Sequence, residues 1–283
     1  MKSRSLSWTV LVAAILSTAC SGATPTTTSR AAAPATTQSD APTTLVAPSP
    51  ASTSTTSTTS TIVAPTRPPQ ATWAPVESRE LRVLFVGNSH TSTHDIPGQV
   101  AALLESNGSI EVTHETLKTG FLRMALNQSD ITEAIASGTW DIVVLQGQEL
   151  SMSHSTLYSQ DEPVALARLV IDSGSRALFF SEWKQEGVEE TAYIEDIYQQ
   201  MAAKAGAEVI PIGRAWDRYL AGKPDHPLWS NDGNHSSPQG AFLAAAAIAY
   251  YLAGPNANLR TTPDLKPFLE PARLAVADYL GST

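Results

Sequence analysis

Short apolar runs alternate with stretches of helical periodicity from about residue 81 to the C-terminus. The first run, Leu81–Val86, is interrupted only by Arg82, so it lacks the alternating polarity of a strand with one face in water. Such a run is typical of a parallel strand that is buried on both faces of a sheet. Further strands are predicted near Ile110–Leu117, Asp141–Leu145, Ala177–Phe180 and Glu208–Ile212.

Helices are predicted between these runs and after the last of them. Asp95 can cap the first helix, with Pro97 in its first turn and Asn107-Gly108 at its end. The remaining amphipathic stretches predict short helices within residues 122–137 and longer ones at 162–172, 190–205 and 265–280.

One further helix should start at Ser237-Pro238 and stop at Gly254-Pro255, and its sequence is apolar all round. A helix without a polar face is buried in a core, and this one is too short to span a membrane. The alternation of strands and helices predicts one α/β domain over residues 76–283. Its architecture should be three-layer α/β/α, with a mostly parallel five-stranded sheet.

The first 20 residues have the pattern of an export signal. Basic residues near the start are followed by an apolar stretch too short for a membrane span and by small residues before Cys20. This arrangement resembles the lipobox of bacterial lipoproteins, in which the cysteine is lipidated and becomes the first mature residue. Ser17 stands where that motif usually has leucine. We expect a lipid-anchored extracytoplasmic protein, with ordinary secretion as the alternative.

Residues 21–75 are mostly Thr, Ser, Pro and Ala with almost no charge. A segment with so few large apolar side chains cannot offset the entropy lost on ordering, so we expect a disordered tether. Its Thr and Ser content also permits glycosylation. Because Cys20 is the single cysteine of the chain, disulfides are excluded and the exported domain must be held by its core.

Two short motifs carry candidate chemistry. Gly87-Asn88-Ser89 follows the first strand, at the carboxyl edge where open α/β sheets bind ligands. Asp232 and His235 precede the buried helix, and their spacing can bring a carboxylate to an imidazole. A serine, a histidine and a carboxylate are the parts of a nucleophile, a general base and its orienting group.

In this order on an alternating α/β chain, the motifs resemble the SGNH (GDSL-like) hydrolase superfamily, whose fold is flavodoxin-like. The resemblance covers about residues 81–251. It implies that Ser89 is the nucleophile, His235 the general base and Asp232 its support. It also implies an oxyanion hole formed by the N–H groups of Ser89 and Gly120, the glycine after the second strand.

The third motif of the superfamily departs from the common pattern. Many members have G-x-N-D after the third strand, where the asparagine amide donates to the oxyanion. This chain has Gln146-Gly147-Gln148-Glu149 instead. Glutamine carries the same amide, so we expect Gln146 to be the third oxyanion donor, with Gln148 as the alternative.

The other polar and aromatic candidates are weaker. Five other histidines have no partner at a spacing that would indicate a functional site, so surface or structural roles are expected for His90, His94, His114, His154 and His226. Trp183 and Trp229 could line the substrate cleft or pack in the core.

Motifs for other chemistries are missing from the sequence, among them GxSxG, HExxH, a Cys/His metal set and a glycine-rich phosphate loop. The net charge of −9 argues against a nucleic-acid partner. We therefore expect a monomeric serine esterase that acts on O-acyl groups, such as acetyl esters of carbohydrates, without metal or cofactor. The alternatives are a non-catalytic glycan-binding lipoprotein and an acyltransferase with the same acyl-enzyme.

Overall fold

The structure is a computed structural model that describes residues 73–106, 108–147, 149–150, 155–222 and 227–281. The predicted export signal, the lipidation site Cys20 and almost all of the predicted tether lie outside these residues. So do Gln148, His154 and His226.

A parallel five-stranded sheet forms the centre of the described chain, with the strand order β2-β1-β3-β4-β5. The predicted α/β fold class is thereby confirmed. The strands are β1 Glu80–Gly87, β2 Glu111–Lys118, β3 Ile142–Leu145, β4 Arg176–Phe180 and β5 Glu208–Ile210.

The strand order puts the Ser89 end of β1 at the most favourable place for a ligand. β1 lies between β2 and β3, so the chain leaves β1 towards one side of the sheet and then crosses to the other. Such a reversal opens a crevice at the carboxyl ends of the strands. All of β3 is buried and so is β1 from Val83 onward, as their apolar runs predict. The edge strand β2 is largely exposed.

Eight α-helices pack against one another and the sheet within the described residues. α7 contacts α2, α6 and α8, and α6 also contacts α8; α4 contacts both α3 and α5, and α5 contacts α6. Their bounds are α1 Ser89–Ser92, α2 Ile96–Glu105, α3 Ser129–Ala136, α4 Asp161–Asp172, α5 Thr191–Ala205, α6 Ile212–Gly222, α7 Pro238–Ala253 and α8 Lys266–Gly281, with short 3₁₀ helices at Thr93–Asp95 and Leu122–Asn127.

Two predicted helix starts are confirmed in detail. The Asp95 carboxylate accepts a hydrogen bond from the Gly98 N–H, and the Ser237 hydroxyl accepts one from the Gly240 N–H. Each therefore satisfies an N–H group that has no partner within its own helix. The helix that follows Ser237, α7, is buried along nearly its whole length, as its apolar sequence predicts.

Helix α6 is absent from the sequence-based prediction, which extended the fifth strand to Ile212 and then placed a polar loop from Gly222. The strand instead ends at Ile210, and a helix begins at Ile212. The signal for it is the helical spacing of Ile212, Ala215, Trp216 and Tyr219, all buried. The correction matters because Trp216 supports the candidate site.

The predicted boundary between tether and domain, at residues 75 and 76, lies too far along the chain. The Trp73 indole N–H donates to the Tyr251 carbonyl oxygen at 3.0 Å, and the two rings pack edge to face. Pro75 and Trp73 also lie close to Gly254, at the end of α7. Among the described residues, packing on the domain therefore starts at Trp73.

No helix within the described residues is both long enough and apolar enough to cross a membrane.

Candidate active site

Ser89 is the first residue of α1, directly after the end of β1, and it is exposed. Asn88 caps this short helix, and its side-chain oxygen accepts the His90 N–H at 2.9 Å. The Ser89 N–H lies in the first turn, where helix N–H groups have no intrahelical acceptor. The turn thus presents two groups at the carboxyl edge of the sheet: the Ser89 hydroxyl and a backbone N–H that has no acceptor within its own helix.

The structure brings together the serine, histidine and aspartate that the sequence predicts. Ser89 Oγ lies 2.8 Å from His235 Nε2, and His235 Nδ1 lies 2.6 Å from Asp232 Oδ2. Because a carboxylate can only accept, Nδ1 carries the proton, which leaves Nε2 as the acceptor for the serine hydroxyl. This is the tautomer that a histidine needs in order to act as a general base towards serine.

The loop that carries Asp232 is organised around its carboxylate. Asp232 Oδ1 accepts the backbone N–H groups of Asn234 and His235, each at 2.9 Å, and the Ser230 hydroxyl at 2.8 Å. The hydrogen bond from His235 is the largest cause of a lowered Asp232 pKa, and these other donors lower it further. Asp232 is therefore ionised throughout the neutral range.

Gly120 lies beside the nucleophile turn, as the resemblance requires. Its carbonyl oxygen accepts a hydrogen bond from Asn88 Nδ2 at 3.3 Å, and the Thr119 N–H donates to the Gly87 carbonyl oxygen at 2.9 Å. Gly120 is exposed. Its position next to Ser89 is compatible with an oxyanion donor.

Gln146 does not occupy the position predicted for it. Its side chain is fully buried, and its carbonyl oxygen accepts both the Asn88 N–H at 2.9 Å and the Thr91 hydroxyl at 2.8 Å. Its amide nitrogen donates to Glu182 at 2.5 Å. Since no part of this amide is exposed, we correct its assignment from oxyanion donor to a buried support of the nucleophile turn. The alternative, Gln148, lies outside the described residues.

A second buried carboxyl group lies near Gln146. Glu149 is 3% exposed, and neither of its oxygens has a hydrogen-bond partner within the described part of the chain. Burial, with the negative charge of Glu182 as the next cause, raises the pKa of Glu149 to about 8. Glu149 is therefore mostly protonated at neutral pH.

His90 and the tryptophans form an aromatic support that the sequence motifs do not reveal. The His90 ring is stacked on the His235 ring, with centroids 5.1 Å apart, and it meets Trp183 edge to face at 5.0 Å. Trp183 is stacked on Trp216, and Trp216 meets Trp229 edge to face. Of the two roles considered for Trp183, burial at 4% exposure favours packing over lining a cleft.

The indole N–H groups bind carbonyl oxygens of the loops around the site. Trp183 donates to the carbonyl oxygen of Asn234 at 2.9 Å, and Trp229 donates to that of Lys184 at 2.9 Å.

The other described histidines, His94 and His114, are exposed. No group of three or more potential metal-ligating side chains occurs within the described residues.

Comparison with known proteins gives matches among solved structures only: the sequence matches no protein-family model and no curated protein. A DUF4886 family protein from Bacteroides uniformis is 17% identical with a TM-score of 0.54, and the match covers 71% of this chain and 95% of that one. The chain shares the α/β fold of that protein. At this identity the likeness concerns the fold alone.

Two further matches have TM-scores just below 0.5. A protein of Slackia heliotrinireducens, described as a candidate SGNH hydrolase, is 24% identical with a TM-score of 0.49, covering 61% of this chain and 98% of its own. An acetylxylan esterase from Geobacillus stearothermophilus is 16% identical with a TM-score of 0.48, covering 64% of this chain and 97% of its own. The chemistry of this chain must therefore be argued from its own residues.

Proposed function

We propose that the protein is a serine hydrolase that cleaves carboxylic esters through an acyl-enzyme. The observation that carries the proposal is the continuous chain of hydrogen bonds from Ser89 Oγ through both ring nitrogens of His235 to Asp232, at 2.8 and 2.6 Å. Each atom in this chain has the donor or acceptor character that its role requires.

In the proposed reaction, Ser89 Oγ attacks the ester carbonyl carbon while His235 Nε2 takes the hydroxyl proton. The tetrahedral oxyanion is bound by the N–H groups of Ser89 and Gly120. When the intermediate collapses, His235 returns its proton to the departing alcohol and the acyl group stays on Ser89. Water, deprotonated by His235, then releases the acid and restores the serine. Asp232 stabilises the imidazolium that forms in each half of the cycle.

The proposed substrates are O-acyl groups, including acetyl esters of carbohydrates. Two features favour acyl groups carried on a polymer: Ser89 lies exposed at the sheet edge, and the N-terminal sequence has the pattern of an exported protein. No step needs a metal or an organic cofactor, because the serine supplies the nucleophile and the histidine moves the protons.

The test is hydrolysis of short-chain aryl esters and acetylated xylooligosaccharides by the purified full chain, together with labelling by a fluorophosphonate probe. We expect ester cleavage and a covalent adduct on Ser89, and neither in Ser89→Ala. Equal cleavage by wild type and Ser89→Ala would exclude this mechanism. Glycan binding without cleavage or labelling would favour the non-catalytic alternative, and acyl transfer to an added sugar would favour the transferase.

The proposed location is the outer face of a membrane, with the chain attached through a lipid on Cys20. This part rests on the sequence of residues 1–20. In a bacterial host, Cys20→Ser should move the protein from the membrane fraction to the soluble fraction without a change in esterase activity. A soluble wild-type protein whose mature N-terminus carries no lipid mass would contradict the anchor.

A further inference from the structure

We propose that His90 is a positioning residue, which sets the distance and ring orientation between Ser89 and His235. The proposal rests on the proposed function, since it concerns the same Ser–His pair. It adds a residue that is neither a nucleophile, a base nor an oxyanion donor.

The geometry consists of two adjacent hydrogen bonds between the same two chain segments. Ser89 bonds to His235 at 2.8 Å, and the next residue, His90, bonds through Nε2 to the carbonyl oxygen of Asn234 at 3.2 Å. The second bond thus joins the residue after the nucleophile to the residue before the base. Any movement of one segment away from the other must break both bonds.

The Asn234 carbonyl oxygen is held from a second direction as well. The Trp183 indole N–H donates to it at 2.9 Å, and Trp183 lies on the segment that follows β4. A carbonyl oxygen has two lone pairs, so these two donors can use both. The peptide unit immediately before His235 is therefore fixed to the segments that follow β1 and β4.

Ring packing fixes the plane of the base. The His90 and His235 rings are stacked at 5.1 Å with an interplanar angle of 18°, and His90 also packs edge to face on Trp183. His90 is only 5% exposed, so its ring has little freedom to rotate away. The imidazole of His235 is confined on the face that meets His90.

The protonation pattern of His90 indicates why an imidazole is useful here. A carbonyl oxygen can only accept, so Nε2 carries the hydrogen, and Nδ1 is a buried acceptor without a partner among the described residues. A buried polar atom without a partner is destabilising, and phenylalanine would avoid that cost while keeping the flat ring. The N–H bond to Asn234 is what the imidazole supplies and phenylalanine cannot.

The test compares three substitutions in the full chain. His90→Phe keeps a flat ring and removes the donor. His90→Gln keeps an amide N–H at about the reach of Nε2, and His90→Asn places its amide one methylene short of it. His114→Phe, on the exposed edge strand, is the control for a change from histidine to phenylalanine.

We expect His90→Phe to lower kcat for aryl esters about tenfold, with KM within twofold and a melting temperature equal to or above that of wild type. His90→Gln should recover most of the turnover, and His90→Asn should not. Wild-type kcat in His90→Phe would overturn the proposal. So would a loss of turnover explained by a parallel fall in melting temperature, because that would indicate a purely structural role.

Crystal structures of wild type and His90→Phe give a readout that does not depend on esterase activity. We expect the Ser89 Oγ to His235 Nε2 distance to lengthen beyond hydrogen-bond range in the variant. An unchanged distance would overturn the proposal even if the protein is a hydrolase. If wild type neither cleaves esters nor reacts with the fluorophosphonate, the proposed function fails, and the structural comparison still decides whether His90 positions His235.

Discussion

The nucleophile turn, residues 87–91, and the acid–base loop, residues 229–236, meet at the hydrogen bond between Ser89 and His235, but they are anchored in different ways. The turn is tied into the buried centre of the domain through Gln146, which has no exposed surface. The loop is organised around the carboxylate of Asp232, whose side chain is about half exposed, and it is joined to other segments through the Asn234 carbonyl oxygen.

Close packing around Gly87 shows how tightly the turn is built. A methyl group on Gly87 would lie 2.3 Å from the Thr91 hydroxyl oxygen and 2.6 Å from the Gln146 carbonyl oxygen. Such contacts are far inside van der Waals range, so no other residue fits without displacing this network. The glycine is required by the space around it rather than by its backbone conformation.

The acid–base loop contains several hydrogen bonds between residues that are close together in the sequence. Besides the three donors on Asp232 Oδ1, the Ser230 N–H donates to the His235 carbonyl oxygen at 2.8 Å. Gly233, at the turn of the loop, has a φ of 68°, a left-handed conformation that glycine adopts without strain. The difference predicts that substitutions that break the bonds between the turn and Gln146 should affect stability and turnover together, whereas those in the loop should affect turnover alone.

The largest expected effect is on turnover, at the point where the two regions meet. Ser89→Ala should lower kcat about 10⁴–10⁶-fold, because the acyl-enzyme can no longer form. Its melting temperature should stay within about 1 °C of wild type, since the hydroxyl is exposed and anchors neither region. Initial rates and thermal unfolding of the same preparations measure both. His235→Ala should behave in the same way, and the double variant should be little worse than either.

The second prediction concerns the anchor of the turn. Gln146→Ala leaves the Glu182 carboxylate and the Asn88 N–H without their buried partner, which should cost about 3 kcal/mol or more. For a domain of this size the melting temperature should fall by roughly 6–12 °C. Calorimetry or far-UV circular dichroism measures the change.

Gln200→Ala is the matched control, because Gln200 is an exposed glutamine of α5. It should leave the melting temperature within about 1 °C of wild type. A Gln146→Ala variant that melts like wild type but loses only kcat would restore the oxyanion role that the sequence suggested. It would also remove the contrast in stability between the two regions.

The third prediction tests the protonation of the buried Glu149 carboxyl group. The folded-state pKa of Glu149 is about 8, above the ordinary value of 4.5, so the folded protein holds this proton more tightly than the unfolded chain does. The stability that comes from this tighter binding of the Glu149 proton is complete below about pH 4.5 and decreases as the pH rises towards 8. Over that window the loss should be on the order of 4 kcal/mol.

Glu149→Gln removes that ionisation while keeping a neutral side chain of the same length. Its melting temperature should therefore fall less than that of wild type between pH 5 and pH 8. Glu186→Gln, at an exposed residue, serves as the control and should follow the wild-type curve. Parallel curves for wild type and Glu149→Gln would show that Glu149 is ionised in the folded protein at neutral pH.

The sequence predicts the sheet, most helices and the catalytic candidates because each of these depends on local pattern. An apolar run such as Leu81–Val86 is typical of a strand that is buried on both faces of a sheet. The spacing of Asp232 and His235 brings their side chains together within one loop. These features need no knowledge of what packs against them.

The parts that were missed depend on contacts between distant segments. Gln146 and His90 look like a possible donor and an unassigned histidine in the sequence, and their roles follow from partners at Glu182, Asn88 and Asn234. Trp73 likewise looks like part of a polar tether until it meets Tyr251, 178 residues away. Residue type and spacing do not specify which of several acceptors a buried amide or indole finds.

The smallest expected effect tests whether the acid–base loop is held by many weak local bonds. Ser230→Ala removes one of the three donors to Asp232 Oδ1 and leaves the backbone N–H groups of Asn234 and His235 in place. Because this hydrogen bond is exposed, its loss should cost well under 1 kcal/mol of stability. We expect kcat to fall about two- to fivefold and the melting temperature to change by less than about 1 °C.

Asp232→Asn sets the upper limit for this loop. It keeps the shape of the side chain but allows the wrong histidine tautomer, so kcat should fall by up to about 10⁴-fold. Steady-state kinetics and thermal unfolding of both variants measure the difference. If Ser230→Ala lowered the melting temperature as much as Gln146→Ala, the loop would depend on the stability of the domain in the way the turn does. A small effect of Ser230→Ala together with a large effect of Asp232→Asn would instead show that the loop acts mainly through the charge of the Asp232 carboxylate. The three hydrogen-bond donors to Asp232 Oδ1 would then hold that carboxylate jointly.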